Sequence, residues 1–129
     1  MSVASIRDPR LIEQLSGHDW TRPESPYHAL IRLIGGPWGG SILKELLIHD
    51  CLRFTELKRE IGAIPAKSLS ARLELFVEEG IVTRVDFGGM PPRVEYSLTD
   101  TGRELVPLLR LMTRWAIEHL DDDPVITPL

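Results

Sequence analysis

Apolar residues recur with helical spacing at Tyr27, Leu30, Ile31 and Ile34, and Gly35-Gly36-Pro37 ends that run. A second stripe, Trp38, Ile42, Leu43, Leu46 and Leu47, predicts another helix. Gly39 and Gly40 weaken its first turn by about 1 kcal/mol each relative to alanine. Residues 54–61 read as a two-turn helix with Phe54, Leu57 and Ile61 inward, followed by the short turn Gly62-Ala63-Ile64-Pro65. Pro65 suits the first position of the next helix. That helix runs to about Glu79 with Leu69, Leu73, Phe76 and Val77 on one face, and Gly80 stands where a left-handed cap is wanted. Two short helices joined by a tight glycine-containing turn form the helix-turn-helix pattern, which any helical hairpin can imitate.

The next segment narrows the choice. Val82–Phe87 and Arg93–Leu98 both alternate apolar and polar residues and flank Gly88-Gly89-Met90-Pro91-Pro92, a turn too long for a tight hairpin. A helix-turn-helix followed at once by such a hairpin predicts an α+β, mostly helical fold of the winged helix-turn-helix type. Thr99 caps a final helix over about 100–120, which Pro107 in its second turn tilts without ending. Leu105, Leu109, Met112, Ala116 and Leu120 form one stripe on that helix, and Leu108, Leu111 and Trp115 form a second. An apolar face this wide in a small domain fits packing on another subunit better than a purely intramolecular core.

The length of 129 residues limits the chain to one compact domain with short tails: 1–24 as an N-terminal extension, 25–120 as the domain, and 121–129 as an acidic, proline-containing tail. A short amphipathic turn in the extension (Ile6, Leu11, Ile12, Leu15) ends at Ser16-Gly17. A lone cysteine, Cys51, fits a reducing cytoplasm, and neither a signal peptide nor the roughly 20 apolar residues of a membrane span is present, so no membrane partner is expected. His18, His28, His49 and His119 are scattered without metal-ligand spacing. Gly35-Gly36-Pro37-Trp38-Gly39-Gly40 lacks the lysine and serine or threonine of a phosphate loop. Neither an enzyme activity nor a cofactor or metal is expected.

The formal charge of −4 at first discourages nucleic acid as a partner. Its distribution softens that objection. Residues 51–103 carry 8 basic and 8 acidic side chains, whereas residues 104–129 carry 2 and 5. The excess acid therefore lies largely away from the helix-turn-helix.

These motifs resemble the HxlR-type winged helix-turn-helix regulators over roughly Ser25 to Leu120. The resemblance is carried by Leu33-Ile34-Gly35-Gly36-x-Trp38, Ile42-Leu43-x-Glu45-Leu46-Leu47 and Arg53-Phe54-x-Glu56-Leu57. It continues in Ser68-Leu69-x-x-Arg72-Leu73, Glu78-Glu79-Gly80-Ile81-Val82 and, most distinctively, Pro91-Pro92-Arg93-Val94-Glu95-Tyr96-Ser97-Leu98-Thr99-x-x-Gly102. The resemblance implies a homodimeric bacterial or archaeal transcription regulator paired through its terminal helices, with Tyr27, Leu30, Leu105, Leu108, Leu109, Met112, Trp115 and Ala116 at the interface. It also allows a small-molecule effector of unknown identity. Four departures stand out: Pro37 where relatives usually carry lysine, Gly39-Gly40-Ser41 in place of bulky aliphatics, Ser25-Pro26 in place of a Cys-Pro pair, and Pro65 in place of a serine-like cap. Thiol sensing at that first position does not carry over to this chain.

With 65–79 taken as a recognition helix for double-stranded DNA, the far face presents Lys67, Ser68, Ala71, Glu74 and Glu78, with Ser70 and Arg72 on its flanks. The basic and hydroxyl residues lie in the N-terminal half that reaches base edges, and Glu74, Glu78 and Glu79 lie in the other half. Arg72 has no acid three or four residues away, so a helical ion pair does not account for it. Arg84 and Arg93 on the wing are candidate phosphate or minor-groove contacts, although Arg93 could equally pair with Glu95 or Asp86. Arg53 and Lys58 are candidate backbone contacts. The alternative class is a winged helix that binds protein or a small ligand and has weak or no DNA binding. Small residues beside Trp38 would then open a pocket for a planar ligand.

Overall fold

The computed structural model describes Arg10 and residues 25–120, and the chain divides into two compact units between Gly36 and Pro37. The N-terminal amphipathic turn and the acidic tail lie outside the described residues.

Within the first unit, helix α1 (Pro26–Ile34) starts as its sequence dictates. Ser25 takes an extended conformation and its Oγ accepts from the His28 amide at 3.3 Å, with Pro26 following at the helix start. The serine that stands in place of a cysteine is therefore a helix cap. Gly35 closes the helix, its amide donating to the Ile31 carbonyl at 2.7 Å.

The second unit holds α2 (Gly39–Ile48), β1 (Leu52–Arg53), α3 (Phe54–Ile61), α4 (Ala66–Glu78), β2 (Val82–Asp86), β3 (Val94–Leu98), α5 (Asp100–Arg103) and α6 (Leu105–His119). The apolar stripes read from the sequence converge as one core: Ile42, Leu43, Leu57, Leu69, Leu73 and Phe76 are fully buried, each contributing about 1.5–3 kcal/mol of transfer free energy. Ile64 joins them from the turn between α3 and α4, anchoring a segment that reads as mere connection. Gly62 supplies the positive φ (+89°) that lets the chain turn there.

Four details depart from the sequence reading. Leu52–Arg53 forms an edge strand, pairing antiparallel with β3 (Leu52 opposite Tyr96, Arg53 opposite Glu95) in a sheet of order β1-β3-β2. Two residues are too few to show alternation. Pro65 caps α4 rather than opening it, because its ψ of 144° is extended while its carbonyl already accepts from the Leu69 amide at 3.0 Å. Leu47, placed on the α2 stripe, is exposed, whereas Glu45 is buried. The terminal helix is divided at Glu104 into α5 and α6. Pro107 lacks the amide that would donate to the Arg103 carbonyl, and its ring crowds that same carbonyl, so the break falls one turn upstream of the proline.

The junction between the hairpin and these last helices is tightly bonded. The Thr99 hydroxyl lies 2.5 Å from the Gly80 carbonyl and 3.1 Å from that of Ile81, and its oxygen accepts from the Gly102 amide at 3.0 Å. Gly102 sits so close to the Ile81 carbonyl that a Cβ there would overlap it.

Candidate nucleic-acid interface

Helix α4 begins without a side-chain cap and has no acidic residue in its first turn. Its first amides therefore stay open to an external acceptor at the positive end of the helix dipole. Lys67, Ser70 and Ala71 are exposed on this half, while Ser68 and Arg72 are half-buried. Lys67 makes no ion pair among the described residues. The helix ends in a two-bond cap: the Gly80 amide donates to the Val77 carbonyl at 3.1 Å, and the Ile81 amide donates to that of Phe76 at 2.9 Å. Gly80, at φ +73°, turns the chain directly into β2. The position of the wing relative to the reading helix is thus set by one glycine and by the Thr99 hydroxyl.

The wing itself projects. Val82 is paired with Leu98 at its base and both are buried, whereas the outer half of β2 and the whole loop are exposed, with Met90 at 96%. The alternation that suggests a half-buried hairpin thus buries little beyond its first rung, since Val85 and Phe87 face outward. Asp86 accepts from the Gly88 amide through Oδ1 at 2.8 Å and so shapes the turn. Arg93 pairs instead with Glu95, Nη2 to Oε1 at 2.9 Å, and its guanidinium lies 5.4 Å from the Phe87 ring centroid. This resolves the structural alternative in favour of Glu95, whose carboxylate also raises the Arg93 pKa by hydrogen bonding and charge. The guanidinium remains largely exposed and keeps donors free for an acceptor outside the protein.

Arg84, opposite Tyr96 on the sheet, lines a cleft of about 470 Å³ with Ser70, Glu74, Val77 and Glu78 of α4. The acidic half of the reading helix thus faces the root of the wing, and its basic N-terminal half lies beyond that cleft. Arg53 and Lys58 flank the start and middle of α3, where Arg53 is exposed and its amide donates to Glu56 Oε1 at 2.8 Å. Arginine has no acceptor atom, so this is the carboxylate half of a capping box alone.

Elsewhere in this unit, a mainly apolar cleft of about 280 Å³ opens between α2 and α6, floored by Leu109 and bordered by Leu47, Ile48, Val106 and Ile117, with Lys44, Arg110 and Arg114 at its rim. Neither cleft includes Trp38, which is half-buried at the start of α2. Of the residues expected at a dimer interface, Leu109 is buried within its own protomer, whereas Met112 (48%) and Trp115 (57%) are exposed. Leu105, Leu108 and Ala116 are half-buried, as is Leu30 on α1, while Tyr27 is exposed. Cys51 is exposed, and its thiol pKa is raised by local desolvation and then by the carboxylates of Glu95, Asp50 and Glu56.

Sequence reasoning also passed over one cluster. Glu45 and His49 on α2 come together with Glu60 on α3. Their spacing in sequence has no metal-motif form, because the third residue arrives from a different helix.

Comparison with known proteins follows this geometry closely. The HxlR-like helix-turn-helix family profile matches residues 33–124. The chain is 38% identical over 96 residues to an HTH-type transcriptional regulator of Halalkalibacterium halodurans, covering 74% of this chain and 85% of the relative. It is 39% identical over 94 residues to the HTH-type regulator YdzF of Bacillus subtilis, covering 73% and 86%. Among solved structures, the HTH-type regulator ytcD superposes with a TM-score of 0.69 at 33% identity (74% of this chain, 97% of that one). The redox regulator HypR in its reduced form gives 0.68 at 34% (75% and 95%).

Proposed function

Because the chain belongs to the HxlR-like helix-turn-helix family of transcriptional regulators, we propose that it acts as a homodimer on a pseudo-palindromic DNA operator. The observation that carries this reading is the uncapped start of α4, with Lys67, Ser70 and Ala71 exposed beside it and the wing projecting from its far end. The open amides and Lys67 take phosphates, while Ser68, Ser70, Ala71 and Arg72 lie where base edges would pass. Arg84, Arg93, Arg53 and Lys58 add backbone contacts. Two protomers place their reading helices in successive major grooves, about 34 Å apart on one side of the duplex. The proposed setting is the cytoplasm.

Pairing is assigned to the apolar face of α6 that carries the exposed Leu111, Met112 and Trp115 and the half-buried Leu108, and Tyr27 and Leu30 of α1 are assigned to pairing within their own unit. The residues that border the apolar cleft on α6 (Val106, Arg110, Thr113, Ile117) fall on a different side of that helix, so dimerisation there leaves the cleft accessible. Gel shift or fluorescence polarisation on DNA from upstream of the gene tests the reading. The double substitution Lys67→Ala/Arg72→Ala is expected to weaken binding at least tenfold, and unchanged affinity would sink the assignment.

A ligand-binding reading is favoured by one observation, the α2–α6 cleft, whose apolar floor and cationic rim fit an apolar organic anion as effector. An Ile117→Trp substitution that fills it should abolish any effector response while leaving DNA binding intact. The redox chemistry named for HypR is not assigned to this chain, whose single thiol sits among carboxylates.

A further inference from the structure

We propose that Glu45, His49 and Glu60 form a binding site for a divalent transition-metal ion, of which Zn²⁺ is the probe. Glu45 and His49 are four residues apart on α2, which places both side chains on one face of the helix. Glu60, in the last turn of α3, completes a set of three ligand atoms that all lie within 4.8 Å of one another. Glu45 Oε2 lies 3.6 Å from His49 Nε2. A metal with bonds of about 2.0–2.2 Å to nitrogen and oxygen holds adjacent donors roughly 3–3.5 Å apart. The three groups therefore need to close by no more than about 1–2 Å, within the reach of χ adjustments.

The second, independent observation is the state of Glu45. It is only 7% exposed, yet the basic side chains that reach its carboxylate among the described residues are Lys44 at 3.4 Å and His49 at 3.6 Å. Both distances exceed the 2.7–2.9 Å or so of a charge-assisted hydrogen bond. Buried charges in proteins are closely paired or coordinate metals, and this one is held by long contacts and aimed at an imidazole and a second carboxylate. The donor set selects the class of ion: an imidazole with two carboxylates suits Zn²⁺, Mn²⁺ or Fe²⁺, whereas Mg²⁺ and Ca²⁺ favour oxygen alone. Three protein ligands leave the remaining coordination positions to water. An ion held there ties α2 to α3, the first helix of the reading motif, and thereby fixes the motif against the rest of its unit.

The test uses the full chain, stripped with chelator and titrated with Zn²⁺ by calorimetry, with no DNA present, so its outcome is independent of the operator-binding reading. The expected result is one site per chain with micromolar affinity, and a thermal midpoint raised by about 10 °C at a hundredfold excess over Kd. Glu45 is too buried for its removal to be a clean test, so the variants are His49→Ala and Glu60→Gln. Each is expected to lower the affinity by at least about tenfold. Cys51→Ser and His119→Ala are expected to change nothing. Absence of stoichiometric uptake, retention of wild-type affinity by either ligand variant, or loss of binding in Cys51→Ser or His119→Ala would each overturn the proposal.

Discussion

Cys51 precedes β1 and Arg93 precedes β3, and the two share a neighbour, Glu95, whose carboxylate favours the protonated form of both. It helps hold the Cys51 proton on, through charge and a hydrogen bond added to local desolvation, and it helps hold Arg93 charged. A thiol whose pKa is raised presents less thiolate at any pH below that value, and the thiolate is the nucleophile. Folded protein at pH 8 should therefore react with iodoacetamide more slowly than the same cysteine in denaturant, and the gap should widen as pH falls from 9 to 7. Equal or faster alkylation of the folded chain would contradict this. The Arg93–Glu95 pair is exposed on its arginine side, so solvent screens it and its direct contribution to stability is small. Its consequence belongs to binding. Glu95→Gln should release the guanidinium toward phosphate and tighten DNA binding about two- to fivefold, with stability nearly unchanged. Arg93→Ala should weaken binding, and polarisation titrations of the two variants with identical affinities would remove Arg93 from the interface.

At the level of elements, the decisive contacts lie where one element hands over to the next. The end of α4, the start of β2, the end of β3 and the start of α5 meet within a few residues, through Gly80, Ile81, Thr99 and Gly102. A methyl group at Gly102 would overlap the Ile81 carbonyl, a backbone atom held by the Thr99 amide at 3.0 Å and unable to yield cheaply. Gly102→Ala is thus expected to cost about 1–3 kcal/mol, read as a lower urea midpoint at unchanged slope. A neutral result would mean that the junction can open without disturbing the wing. The same junction explains what could be read from sequence and what could not. The helices were legible because period-3.6 stripes such as Leu69, Leu73 and Phe76 are local, and so was Gly80, whose cap role follows from its place just past a stripe. The edge strand Leu52–Arg53 was not legible, since it exists only through pairing with Tyr96 and Glu95 more than forty residues away. Glu45 was equally hidden: nothing local marks a carboxylate in a helix as buried, because its environment comes from another helix. The break at Glu104 was half legible. Pro107 announced a disturbance, but the consequence falls on the carbonyl four residues earlier rather than at the proline.

For the whole molecule, net charge and exposed apolar surface point to the same requirement. A chain of formal charge −4, whose helix-turn-helix and wing segment is electrically balanced, gains little from non-specific attraction to a duplex. On the proposed dimer the affinity comes from specific contacts made twice, which couples DNA binding to self-association. The apolar face that offers self-association lies on α6, where Leu111, Met112 and Trp115 stand open while Leu109 is committed to the protomer's own core. Introducing charge on the open face should therefore separate the protomers without unfolding them. Met112→Glu/Trp115→Glu is expected to sediment as a monomer with an unchanged far-ultraviolet spectrum. Its operator affinity should drop by at least about a hundredfold, because the second half-site becomes a separate bimolecular event rather than one at millimolar effective concentration. The salt dependence should fall with it: log K against log[salt] has a slope of about −0.9 per phosphate neutralised, so one bound protomer gives roughly half the wild-type slope. A monomeric variant that retained both the affinity and the full slope would show that a single reading head suffices. In that case the exposed face of α6 would have to serve a partner other than a second copy of this chain.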